Sequence, residues 1–418
     1  MKKAGEPVPN NLTKLKVMAS NINASMGTPI VDLNDTEVAF AGKSEKELKK
    51  AARLLGLMNN HWLVGVGAKI GYAAIKMHLP FVESVVKNTI FEQFCGGTTL
   101  LESEKTIKHL YQYKSKTILD YGAEGKETEE DFNFTMNETI RAIEFGSRLE
   151  AVPVVSSKIT GMARMALLEQ IQLGEELNEA ARMEYNNVLK RLDAVCHTAA
   201  QKGMSIYFDA EESWIQDTLD HLVTVMMKRY NTEKAVVFNT YQLYRTDRLQ
   251  ALTDAYNEAR KEGYLLGAKL VRGAYMERER ERAEQHGYPS PIHPNKEATD
   301  NAFDTAVKFC IDHYEYLASS IATHNADSTL LCAELIEQKG IPRNHPHVLM
   351  CQLLGMSDNL TFNLANAGFN VAKYVPYGPV KEVVPYLIRR AQENTSVTGD
   401  MSREYQLVQK ELRRRSID

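Results

Sequence analysis

KAVVFNTYQLYRTDRLQALTDAYNEARKEGYLLGAKLVRGAY, residues 234–275, holds one full structural period. It opens with a β-rich run, KAVVFNTYQ (234–242). An amphipathic stretch follows, DRLQALTDAYNEARKEG (247–263), with apolar residues at helical spacing, and a second β-rich run, GAKLVRGAY (267–275), closes it. Strand, helix and strand of these lengths make a βαβ unit, which lays its two strands side by side and parallel. The alternation continues outward in both directions. AVPVVSSKIT (151–160) and MSIYFDAE (204–211) come before it, with the long helical stretch 178–202 between them. SIATHN (320–325), HVLMCQLLG (347–355) and NVAKYVPYG (370–378) come after. Seven strands are legible, and an eighth is expected at Thr395–Val397. Seven or eight such units in roughly 250 residues fit a (βα)8 barrel better than an open sheet.

The expected organisation has three parts: an N-terminal helical region (1–150), a (βα)8 catalytic barrel (151–400) and a C-terminal helical tail (401–418). Helices are expected at 43–60 and 129–151 in the first part. Every strand of the barrel ends in polar groups: Lys158, Asp209 with Glu211, Gln242, Arg272, Thr323-His324-Asn325, Gln352 and Tyr374. One such tip is ordinary, because a strand end meets water. Seven in register point to a site, since the C-terminal strand ends of this architecture carry the active site.

Bulk properties exclude several classes. The chain has 418 residues, 44% hydrophobic and 25% charged, with a net charge of −4. A nucleic-acid binder carries a basic excess, so none is expected as partner. The five cysteines, Cys95, Cys196, Cys310, Cys332 and Cys351, are scattered and odd in number. That argues against a disulfide scaffold or thiolate zinc site, and for a reducing compartment. MKKAGEPVPNN has no apolar core of a secretory signal, and Trp62–Val82 is interrupted by Lys69, Lys76 and His78. The expected location is cytoplasmic, with peripheral contact at the inner face of a membrane left open.

Three motifs are decoys. GVGAKIG (65–71) has G-x-G-x-x-x-G spacing and follows no clear strand, so helix packing explains it better than dinucleotide binding. The two histidines of NHPHV (344–348) are a weak metal signal, and no metal is expected. ELRRRSID (411–418) reads as a solvated basic face.

The charged inventory narrows the chemistry. Lys158, Lys269, Arg272, Lys296, Arg389 and Arg390 outnumber the carboxylates near them, and arginine forks suit carboxylates and phosphates. In PYLIRRAQEN (385–394), Tyr386 precedes the two arginines by three and four residues, and Glu393 follows by four and three, so all four share a helix face. Leu353, Tyr374 and Tyr386 supply an apolar, partly aromatic wall for a small carbon skeleton.

Taken together, 267–300, ATHN (322–325), QLLGMSD (352–358) and KYVPYGPVKEVVPYLIRRAQEN (373–394) resemble the proline dehydrogenases, most of all their monofunctional, eukaryote-like branch. The similarity runs from about 115 to 400. It implies a distorted (βα)8 barrel, FAD as cofactor, and oxidation of L-proline to Δ1-pyrroline-5-carboxylate by hydride transfer from C5 to the flavin N5. Electrons would then pass to a quinone. By the resemblance, Lys158 lies beside substrate and flavin, Asp209 holds the polar network, and Gln242 contacts the flavin ring. Val271, Arg272, Gly273 and Ala274 line the flavin and its phosphate arm, Lys296 approaches the pyrophosphate, and Thr323, His324 and Asn325 bind the cofactor. Leu353, Tyr374 and Tyr386 wall in the proline ring, with Leu353 also against the cofactor. Arg389 and Arg390 clamp the substrate carboxylate, and Glu393 follows them on the cofactor side. Many bacterial members carry R-L-V-K-G-A-Y where this chain has K-L-V-R-G-A-Y, so Lys269 stands at an arginine position near the flavin ring. It keeps the charge but loses the planar fork. The alternative within the superfamily is hydroxyproline dehydrogenase, whose members have a smaller residue at the position of Tyr374.

Overall fold

The computed structural model describes residues 30–58, 82–122, 125–396 and 400–417, with Val82, 391–396 and 400–402 as backbone only. Eight parallel strands close into a barrel in sequence order: β1 (Lys116–Tyr121), β2 (Val154–Ser157), β3 (Ser205–Phe208), β4 (Val237–Gln242), β5 (Leu266–Val271), β6 (Leu317–Ala322), β7 (Val348–Leu353) and β8 (Val371–Tyr377). The (βα)8 expectation holds, but the counting shifts by one. The run at 151 is the second strand, and the first lies within the stretch assigned to the N-terminal helical region. β1 pairs with β8 from Lys116↔Ala372 to Tyr121↔Tyr377, which closes the ring. The strand expected at Thr395–Val397 is not one. Residues 395–396 continue a helix, and Val397 lies outside the described residues.

The helices that follow are α1 (Glu45–Met58), α2 (Leu100–Gln112), α3 (Glu129–Gly146), α4 (Met165–Gln172), α5 (Glu179–Lys202), α6 (Ser213–Tyr230), α7 (Arg248–Glu262), α8 (Met276–His286), α9 (Lys296–Asp312), α10 (Ala326–Gln338), α11 (Asp358–Asn366), α12 (Val380–Ser396) and α13 (Asp400–Arg414). Their starts are written in the sequence. Thr99, Thr128, Asn178, Asn295 and Asn325 each accept a bond from a first-turn N–H through a side-chain oxygen. α5 and α7 stop at Gly203 and Gly263, both left-handed, where a side chain would be strained.

The barrel interior is filled by inward residues of alternating positions. Ile118, Val154, Tyr207, Phe238, Ala318, Leu349, Cys351, Ala372 and Tyr374 make one buried cluster. A second core lies outside it. Phe40, Leu48, Leu55, Phe91 and Phe94 pack with Val380, Val383 and Leu387 of α12 and Leu407, Val408 and Leu412 of α13. Leu353 and Tyr386 touch that core from the barrel side. All these elements belong to one compact unit, Leu33–Asp418, so position 150 is not a structural boundary. The apolar faces of α1 and α13 cover each other and brace α12 instead of standing as separate parts.

Candidate active site

β2, β5, β8 and the residue just after β3 bring side chains to one point toward the C-terminal mouth. Lys269 Nζ on β5 donates to Asp209 Oδ1 at 2.6 Å. Tyr374 Oη on β8 donates to Asp209 Oδ2 at 2.8 Å and lies 3.3 Å from Ser156 Oγ, which itself donates to Asp209 Oδ1 at 3.0 Å. The Lys269 ammonium sits 4.7 Å from the centre of the Tyr374 ring. Burial raises the Asp209 carboxyl, but Lys269 and the Tyr374 hydroxyl outweigh it and hold the group below its ordinary value. Burial pushes the Tyr374 phenol up, so it stays a neutral donor.

A second carboxyl completes this pocket. Asp120, on β1 opposite Ser156, is buried. Burial and the neighbouring Asp209 push it up to about 7, although Lys158, Tyr374 and Lys269 pull it down. Sequence reasoning misses Asp120 because its strand, KTILDY, is read as part of a helical region. The strand-tip rule would have found it had that strand been placed.

Lys158 follows β2 and donates to Tyr275 Oη at 3.1 Å. The turn just after it is pinned by Glu211, whose carboxylate accepts from the Thr160 N–H at 3.0 Å and from its hydroxyl. Burial drives Glu211 up to about 7 against the pull of Lys158. Gln242 donates to the Glu211 carbonyl at 2.7 Å, tying the tips of β3 and β4 together.

A basic rim lies across the mouth. Arg272 donates to Asp300 at 2.8 Å, to Thr323 Oγ1 at 2.7 Å and to Ser328 Oγ at 3.0 Å. Lys296 meets the same Asp300 at 2.5 Å. Gly273 and Ala274, just after Val271 and Arg272, are exposed. Gly273 has φ +141, and a Cβ there would stand 2.5 Å from the Tyr244 ring, so the backbone must stay bare. His324 Nδ1 lies 2.9 Å from Ser357 Oγ. Burial, then Lys373, Arg390 and Arg272, lower its imidazole to about 3, so it is neutral in the physiological range. Two strand tips have structural duties. Asn325 caps α10 through Ser328 N, and Gln352 is spent on Thr361 Oγ1 and the Thr323 carbonyl.

α12 carries the remaining candidates. Arg390 is buried, Arg389 and Tyr386 are half-buried, and the Arg390 guanidinium carbon lies 5.2 Å from the Tyr386 ring centre, as the four-residue spacing requires. The side chain of Glu393 lies outside the described residues, as does GVGAKIG. The His345–His347 pair is a turn device, with the His347 N–H donating to His345 Nδ1 at 3.1 Å, and no metal-ligating group of three occurs among the described residues.

These features define a class: a (βα)8 barrel whose C-terminal mouth holds an Asp–Lys–Tyr triad and a basic rim, followed by an arginine-bearing helix. A family model described as proline dehydrogenase matches residues 103–403. That is most of the chain, which therefore belongs to the proline dehydrogenase family. Proline dehydrogenase 1, mitochondrial, of Drosophila melanogaster is 34% identical over 344 residues, covering 78% of this chain and 49% of the relative. The Caenorhabditis elegans protein of that name is 40% identical over 246 residues, covering 58% and 40%. CarD of Pectobacterium carotovorum, a carbapenem antibiotics biosynthesis protein, is 32% identical over 324 residues, covering 78% and 84%. The chain thus spans half or less of the length of the first two relatives. Proline utilization A from Bdellovibrio bacteriovorus has the same fold, with a TM-score of 0.68 over 92% of this chain and 41% of its own, at 19% identity.

The relatives overturn the cytoplasmic expectation, because those from fly, worm, human and Dictyostelium are named mitochondrial. Scattered free cysteines do not separate the two compartments. No helix among the described residues is long and apolar enough to cross a membrane.

Proposed function

We propose that this chain oxidises L-proline to Δ1-pyrroline-5-carboxylate with FAD as cofactor and a quinone as electron acceptor. The carrying observation is the Asp209–Lys269–Tyr374 triad at the mouth of a proline dehydrogenase barrel. Residues suited to the cofactor are present. The bare backbone at Gly273–Ala274 allows close approach of a planar or phosphate group, and Arg272, Lys296, Thr323 and His324 supply donors beside it. Arg272 keeps guanidinium protons beyond those spent on Asp300, Thr323 and Ser328.

Bound FAD supplies the hydride acceptor for proline C5. Arg389 and Arg390 hold the substrate carboxylate, with Lys158 as a third cation, and fix the ring. Leu353, Tyr374 and Tyr386 enclose the ring and exclude water. Lys269 and Gln242 would lie on the cofactor's side, where the lysine would offset negative charge developing on a reduced flavin. Asp209 keeps both Lys269 and Tyr374 in place. Tyr374 stands where the resemblance gives hydroxyproline enzymes a smaller residue, and its hydroxyl is bonded to Asp209, which supports proline over hydroxyproline. Quinone reduction takes place through peripheral contact with a membrane.

The test is steady-state turnover of FAD-loaded protein with a soluble quinone analogue, on L-proline and on trans-4-hydroxy-L-proline in parallel. Preferential proline turnover, with pyrroline carboxylate trapped as product, is expected. Preference for hydroxyproline assigns the alternative activity, and no turnover of either removes both.

A further inference from the structure

Three buried charged side chains and the half-buried Lys43 form a cluster behind β8 that the catalytic reading does not use. Lys373 points out of the barrel and is fully buried, with Nζ 2.9 Å from Asp358 Oδ1 at the start of α11. Lys43, just before α1, meets Asp358 Oδ2 at 2.8 Å. Glu404 on α13 is buried too, and its Oε2 accepts from the Ser357 N–H at 2.9 Å. Burial and Asp358 push Glu404 up to about 7, against the pull of Lys373 and Lys43. Buried charges of this kind are costly and persist where the arrangement is needed.

The cluster closes on a strained turn. Ser357 has φ +50, a left-handed conformation that a residue with a side chain adopts only when its surroundings impose it. The preceding Gly355 is also left-handed, at φ +78, and a Cβ there would meet the Gln93 carbonyl at 2.1 Å. Gln93 in turn donates to the Gly355 carbonyl at 3.0 Å. The loop after β7 is thus gripped from several sides. Toward the mouth, it places Ser357 Oγ against His324 Nδ1. A neutral imidazole has a single N–H, and the hydroxyl can pair with Nδ1 in either tautomer, so this contact holds the ring's orientation.

We infer that Glu404 is a positioning residue: from the C-terminal helix it locks the left-handed turn at Ser357, and through the Ser357 hydroxyl it fixes the His324 imidazole at the barrel mouth. This rests on the reading of His324 as a cofactor-side group. The chain of contacts gives α13 a role at the site, although no residue of that helix has been assigned to the mouth. Glu404→Gln retains an oxygen able to accept from Ser357 N. Glu404→Ala does not. Ser357→Ala keeps the main-chain bond but removes the hydroxyl.

The test is FAD titration of apo-protein, followed by flavin fluorescence and the visible spectrum. Glu404→Ala and Ser357→Ala should each weaken FAD binding about five- to tenfold, as loss of one hydrogen bond would, with a shifted flavin spectrum. Glu404→Gln should stay near wild type, and the Glu404→Ala/Ser357→Ala double variant should be no weaker than either single one. Should Glu404→Ala not fold, Ser357→Ala alone carries the test. Wild-type FAD affinity in folded Glu404→Ala or Ser357→Ala, or additive losses in the double variant, overturns the inference. A wild-type protein that binds no FAD removes the cofactor reading instead. The positioning claim is then decided by the imidazole 15N signals of His324, which must change in Glu404→Ala and overturn the claim if they do not.

Discussion

Replacing Lys269 by Met leaves the half-buried Asp209 at the barrel mouth with the Tyr374 and Ser156 hydroxyls bonded to it. The pair is close, at 2.6 Å, and well shielded, with side-chain exposures of 6% and 16%. At an effective dielectric near 20, such a contact is worth about 6 kcal/mol of gross attraction, much of it offset by desolvation. Removing one partner exposes the desolvation term, so Lys269→Met should lower unfolding stability by about 3–5 kcal/mol at pH 7.5. Asp120 sharpens the effect, because a second carboxyl then faces Asp209 with one fewer cation between them. Asp209→Asn strands the ammonium and should cost a similar amount. In the double variant Lys269→Met/Asp209→Asn neither charge remains, so its loss should fall at least about 2 kcal/mol short of the sum of the singles. Urea denaturation of the apo-protein, followed by circular dichroism, gives the double-mutant cycle. Strict additivity, within about 0.5 kcal/mol, would refute the claim that these two side chains form one buried unit.

Other outcomes follow from the same geometry. Arg390→Met should raise KM for proline by orders of magnitude, equivalent to about 2–5 kcal/mol, with a smaller fall in kcat, as steady-state kinetics will show. Asp120 titrates near 7 in the folded chain against an ordinary 3.8, so the folded state holds more protons between those values. Its contribution to stability is full below about 4 and is lost as pH rises to about 7. Asp120→Asn should therefore flatten the decline of melting temperature from pH 4.5 to 7.5, by at most about 4 kcal/mol in stability at the upper end. Gly273→Ala should lose FAD affinity and melt lower, because φ +141 and the Tyr244 ring leave no room for a methyl group.

The parts of the fold that are legible in the sequence are those with a local signal. β2 to β8 read as strands because runs such as KAVVFNTYQ are rich in β-branched and aromatic residues, and in the barrel that strand is buried on both faces. KTILDY is shorter in apolar character, carries Lys116 and Asp120, and follows a helical stretch, so only its pairing with β8 reveals it. With the first strand misplaced, Asp120 drops out of view and an eighth strand is sought beyond α12. The contact between Tyr386 and Arg390 is legible because it spans one helical turn. The partners of Arg272, namely Asp300, Thr323 and Ser328, are set by how three elements converge. Glu404 lies 47 residues from Ser357, and nothing local joins them.

The central claim is that this barrel mouth takes hydride from proline. Anaerobic addition of L-proline to the FAD-loaded protein, watched in the flavin visible band, tests it most directly. The account predicts bleaching that saturates with proline and is abolished at the same concentrations in Arg390→Met. An FAD-loaded protein whose flavin stays oxidised at saturating L-proline would contradict it.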